Sequence, residues 1–213
     1  KEGGEYKLWL AEGSGGNCTL ESSALTHVGG TIDLRVDKGD AEFARGSFTA
    51  DYTVADGTNA NVTGHGSVEL VGQIEITPAG GVAGFNVFLT AGTGVSCQVD
   101  NGELSWIEGT VNADINYEGS KLAEATLTGK YTANPEANFD ASGSITTVRE
   151  QEIVTVSGWT LFLGEGAAIT GSVKHFALDE LTANIPLVLK KNAEAYVNVS
   201  LTGSYKHADK NFT

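Results

Sequence analysis

A block of ten residues returns twice along this chain, and that recurrence narrows the possible folds more than any other feature. Tyr6, Leu8, Trp9, Leu10 and Gly13 come back as Phe85, Val87, Phe88, Leu89 and Gly92, then as Trp159, Leu161, Phe162, Leu163 and Gly166. The shared pattern reads aromatic-x-aliphatic-aromatic-Leu-x-x-Gly, first 79 residues on and then 74 further. Two downstream landmarks keep the same offsets. Cys18 falls on Cys97 and then on Gly171, and Phe48-Thr49-Ala50-Asp51-Tyr52 falls on Leu127 to Tyr131 and then on Leu201 to Tyr205. A period of this size marks a repeat architecture, in which neighbouring copies cover faces that one copy cannot bury alone.

The expected fold is therefore all-β, with antiparallel strands in tandem repeats of about 75 residues, stacked or sandwich-like and elongated. The expected units are 1–79, 80–155 and 156–213. The third lacks the segment seen as Gly66-Ser67-Val68 and Gly143-Ser144-Ile145, so it is read as truncated at its C-terminal end. Length differences between copies collect after each shared tyrosine and around Pro78-Ala79-Gly80-Gly81. Both are turn-like, and turns tolerate added residues cheaply.

Alternation at period two predicts strands over 31–36, 67–76, 85–89, 111–115, 153–163 and 196–201. Hairpin turns are expected at 55–57, 100–102 and 118–119, where Asn, Asp, Glu and Gly supply positive φ. One short helical turn is expected within 176–181. In the aromatic block Tyr6, Leu8 and Leu10 share a face, and Trp9 takes the other. Strands apolar on both sides are ordinarily covered on both sides, so the recurring rings are expected in the core of a sandwich or closed roll. Cys18 and Cys97, at equivalent positions, are read as buried free thiols.

Charge excludes several partners. With 13 basic and 27 acidic residues the net charge is −14, which repels nucleic acid and anionic lipid surfaces. No apolar run approaches the ~18 residues that a membrane helix needs. The chain starts at Lys1 without the basic and apolar regions of a signal peptide and is read as a fragment of a larger extracellular or cell-surface protein. Asn-x-Ser/Thr triplets begin at Asn17, Asn61, Asn198 and Asn211, a frequency expected by chance in a Ser/Thr-rich chain.

Site chemistry does not recur with the block. His27, His65, His175 and His207 align with Trp106, Ser142, Asn101 and Ala133 of neighbouring copies, so no histidine belongs to the pattern. Gly13-Ser14-Gly15 and Gly92-Thr93-Gly94 read as turns rather than a nucleophile elbow or phosphate loop. Asp37-Lys38-Gly39-Asp40 and Asp100-Asn101-Gly102-Glu103 resemble pieces of calcium loops, but their carboxylates are not repeated. Glu150 and Glu152 share a strand face and read as solvated. No catalytic residue, metal ligand or cofactor site is nominated.

Trp106 is the ring without an aromatic counterpart, near a turn with Glu103 and Glu108, and it is the candidate ligand-binding residue. The functional expectation is a non-enzymatic, adhesin-like structural stalk or scaffold. Its partners would be other domains of the same large protein, together with protein or glycan ligands. The alternatives are a carbohydrate-binding module centred on Trp106 and a carrier with an apolar groove.

Overall fold

A computed structural model describes residues 6–22, 24–55, 59–76, 84–133, 136–207 and 211–212. Among them are 17 strands and no helix. In chain order they are β1 (Tyr6–Leu10), β2 (Gly15–Glu21), β3 (Ala24–Lys38), β4 (Ala41–Ala55), β5 (Asn59–Leu70) and β6 (Ile74–Ile76). There follow β7 (Phe85–Leu89), β8 (Gly94–Asp100), β9 (Glu103–Tyr117), β10 (Ser120–Thr132), β11 (Asn138–Thr147) and β12 (Gln151–Val156). The last five are β13 (Trp159–Leu163), β14 (Ala168–Lys174), β15 (Ala177–Lys191), β16 (Glu194–Lys206) and β17 (Asn211–Phe212).

Contacts divide the chain into two units. The first comprises Lys1–Gln73, Thr90–Thr110 and Lys130–Asn138. In it β1 and β2 both pair with β3, and β3–β4–β5–β8 continue antiparallel to the first part of β9. The second comprises Ile74–Leu89, Val111–Gly129 and Phe139–Thr213. It holds the ladder β6–β7 with the second part of β9. It also holds β11–β14–β15–β16–β17, with β12–β13 set against β15.

Strand lengths and registers coincide along the chain. β1, β7 and β13 have five residues each, β2, β8 and β14 seven, and β3, β9 and β15 fifteen. Each five-residue strand meets the end of a long one, with Tyr6 opposite Lys38, Phe85 opposite Tyr117 and Trp159 opposite Lys191. Each seven-residue strand meets its beginning, with Cys18 opposite Val28, Cys97 opposite Ile107 and Gly171 opposite Leu181. The ladder slips by one residue after Thr19, Gln98 and Ser172 alike. Such bulges bend a strand and raise its local twist.

Tight turns close the hairpins. Positive φ occurs at both Asn101 and Gly102, Glu118 and Gly119, Ser157 and Gly158, His175 and Phe176, and Asn192 and Ala193. Two consecutive positive-φ residues give the turn whose twist matches the flanking strands. This corrects three sequence expectations. No helical turn lies within 176–181, because His175-Phe176 closes a hairpin and β15 starts at Ala177. The strand expected over 153–163 is split by Ser157-Gly158. The strand expected over 67–76 is two, because the Val71 and Gly72 amides turn to donate to the Phe43 carbonyl at 2.9 and 3.2 Å. The turn expected at 55–57 has Asp56 and Gly57 outside the described residues.

The expected core is the largest correction. Among the described residues the buried apolar side chains are Ala44, Leu122, Ala123 and Ala167, and none is less than 2 % exposed. Leu8 and Leu10 are 68 % and 70 % exposed, and Trp9 is 51 % exposed. Alternation tells which side chains share a face but not whether a second layer covers it. The burial that a second layer produces is missing here, so these strands form open antiparallel sheet rather than a sandwich. Cys18 is likewise exposed rather than buried, while Cys97 is half-buried, and neither is in a disulfide.

Candidate functional site

Trp106 lies on β9, opposite Gln98 of β8, and is half-buried. Lys130 of β10 holds its ammonium 4.9 Å from the centre of the indole. The same ammonium is 3.7 Å from Glu108 Oε2. A cation over an indole face is attracted by the ring's quadrupole, an effect of about 0.5–1 kcal/mol at accessible sites. Of the two glutamates expected beside Trp106, Glu108 thus joins the group through Lys130, whereas Glu103 sits at the hairpin end opposite Asp100. Sequence reasoning missed Lys130, which is 24 residues from Trp106. His27 and Asp51, also 24 residues apart, make a comparable contact, with Nε2 and Oδ1 3.2 Å from one another. Theirs is a histidine–carboxylate contact and that of Trp106 and Lys130 a cation–π contact.

Three further ring pairs lie where the first residue of each five-residue strand packs against a neighbour. Tyr6 packs edge-on to Phe43 at 5.4 Å, with the Lys38 ammonium 5.7 Å from each ring. Phe85 meets Tyr117 at 4.7 Å. Trp159 packs edge-on to Tyr196 at 5.0 Å, with Lys191 at 4.9 Å. These are accessible ring pairs, two of them capped by ammonium groups, where the alternation pointed to core.

The remaining polar groups pair locally. Asp37 accepts from Arg35 Nε at 2.5 Å, and Asp100 accepts from the Gln98 amide at 3.0 Å, so the first carboxylate of each calcium-loop look-alike is engaged by a neighbour. Glu150 pairs with Lys190, and Glu152 accepts from Thr155 at 2.8 Å. A hydrogen bond from Lys174 holds the Asp179 carboxyl below its usual range. Hydrogen bonds to Asp114 and then Glu124 hold the Lys121 ammonium above its own, and Asp37 does the same for the Arg35 guanidinium. Among the described residues no three His, Cys, Asp or Glu side chains converge as metal ligands would.

The surface hollows follow the strands. One of about 290 Å³ has Thr126, Ser142, Thr170, Ser172 and Glu180 around it. Another of about 250 Å³ is apolar and bounded by Phe48, Val62, Cys97 and Val99. Compared with known proteins, the chain matches no family model, no curated protein and no solved structure. Site geometry alone therefore informs its function. What that geometry offers is accessible rings and locally paired charges.

Proposed function

We propose that the chain is three copies of one strand unit and serves as a non-enzymatic scaffold segment, a stalk or adhesive support, of a larger secreted or surface protein. One observation carries this reading. Strand bounds, cross-strand registers and bulges coincide at offsets of 79 and then 74 residues, from β1–β3 through β7–β9 to β13–β15. Side chains at matching positions meanwhile change chemistry, as His27–Asp51 against Trp106–Lys130 illustrates. An array needs a constant hydrogen-bonding frame and leaves its surface free to vary, whereas an active site needs particular side chains held in place. The net charge of −14 supports a solvated working surface.

Small-angle scattering on a series of chains tests the reading. Each member carries one more or one fewer copy of the segment 94–167. A scaffold array lengthens by a constant increment per copy. A maximum dimension that stays fixed as copies are added would overturn it.

A further inference from the structure

Twice within this chain, a strand following the long hairpin lies along the outer edge of a seven-residue strand. β5 covers β8, with Gly64 opposite Val99, Gly66 opposite Cys97 and Glu69 opposite Gly94. β11 covers β14 in the same register, with Ala141 opposite Val173, Gly143 opposite Gly171 and Thr146 opposite Ala168. The end of each covering strand is tied by the same two hydrogen bonds. Leu70 N donates to Thr93 O at 2.7 Å and Gly92 N to Leu70 O at 3.0 Å. Likewise Thr147 N donates to Ala167 O at 2.8 Å and Gly166 N to Thr147 O at 2.9 Å.

The third seven-residue strand, β2, pairs only with β3 among the described residues. Its groups matching those two bonds are the Gly13 amide and the Ser14 carbonyl, which no described residue engages. A side chain added at Gly94 would meet Val68 O at 2.6 Å, because β5 is there; at the matching Gly15 nothing lies within 4 Å. Every residue of β1 and β2 is exposed, whereas most of β8 and all of β13 are half-buried. Lys7 and Glu21 are the only charged residues on β1 and β2, and neither strand contains proline. Open edges are usually blunted by charge, proline or a covering segment, and among the described residues this one has no covering segment and little charge.

From these matches we infer that the outer edge of β2 is a strand-accepting site. Its occupant is the β5-type strand of a further copy of the unit, docked antiparallel by main-chain hydrogen bonds. The register follows from the two internal cases. The occupant's residue matching Gly66 lies opposite Cys18, and its residue matching Glu69 lies opposite Gly15. A small residue is required at the first of these places because the preceding hairpin crosses it. A Cβ at Gly66 would meet Phe48 Cδ1 at 2.5 Å, and one at Gly143 would meet Leu127 Cδ1 at 3.1 Å. The inference rests on the repeat reading and adds to it a site, an occupant and a register.

Disulfide trapping tests it. Directly opposed residues on antiparallel strands have Cα atoms about 4.5–5.5 Å apart, within reach of a disulfide. A peptide of residues 62–70 carrying Gly66→Cys is mixed with the Cys97→Ser chain in a glutathione redox buffer. It should bridge to Cys18 about tenfold more than the same peptide carrying His65→Cys, whose thiol is out of register. Equal or absent bridging by both peptides overturns the proposal. A second chain, Ser67→Cys with Ser96→Cys in a Cys18→Ser, Cys97→Ser background, reports the internal β5–β8 register. If its bridge forms and the peptide's does not, the accepting site fails while the repeat reading stands. If the internal bridge does not form, both fall.

Discussion

Ala193 holds a φ of 71° at the second place of the β15–β16 turn, where Gly102, Gly119 and Gly158 stand in other hairpins. An alanine in this left-handed region costs ~1–2 kcal/mol, and glycine returns about half of that through its greater freedom when unfolded. Ala193→Gly should therefore stabilise the chain by about 0.5–1 kcal/mol, seen as a higher urea midpoint with unchanged slope. The position of this turn was not among those read from the sequence, since Asn192-Ala193 lacks the glycine that announces the others. Trp106 was legible as an unmatched ring, but its partner Lys130 was not. The contact depends on a diagonal across the β9–β10 hairpin, and sequence spacing alone does not fix which diagonal neighbours touch.

Between elements, the sharpest contrast is that of β8 with β2. Gly94 faces β5 so closely that a Cβ would also meet Glu69 Cβ at 2.9 Å, whereas Gly15 faces open space. Gly94→Ala should cost about 1–3 kcal/mol by forcing β5 away, while Gly15→Ala should stay within about 0.5 kcal/mol of the parent. Chemical denaturation of the two variants checks this, and equal costs would contradict the β5–β8 pairing. β2, β8, β11 and β14 escaped the reading of the sequence, while strands over 31–36, 85–89, 111–115 and 196–201 were legible from alternation and the turns at Asn101-Gly102 and Glu118-Gly119 from their residues. The breaks at 71–73 and 157–158 were not, because apolar residues continue on either side of both and mask the change of direction.

For the molecule as a whole, exposed Leu8, Leu10, Leu20, Tyr196 and Leu201 coexist with a net charge of −14. Accessible apolar rows favour association, and like charge opposes it over roughly a Debye length, about 8–10 Å at moderate salt. Lowering the pH toward the pI of about 4.5 protonates carboxylates and removes that repulsion. Sedimentation velocity should then show reversible self-association as the pH falls from 7 to 5, and at pH 7 as salt is raised. A sedimentation profile that changes with neither would show that the apolar rows do not drive contact.

The amino-acid sequence by itself determined that this chain forms antiparallel hairpins, where some of the turns fall, and which side chains share a face. Those properties follow from period-two alternation and from residues that accept positive φ, both local along the chain. Only the tertiary structure decided that the aromatic rows stay accessible, that β5 and β11 cover β8 and β14, and that the outer edge of β2 has no described partner. Burial and edge pairing depend on segments brought together from far apart in the chain, and a strand's pattern is the same whether or not another strand arrives beside it.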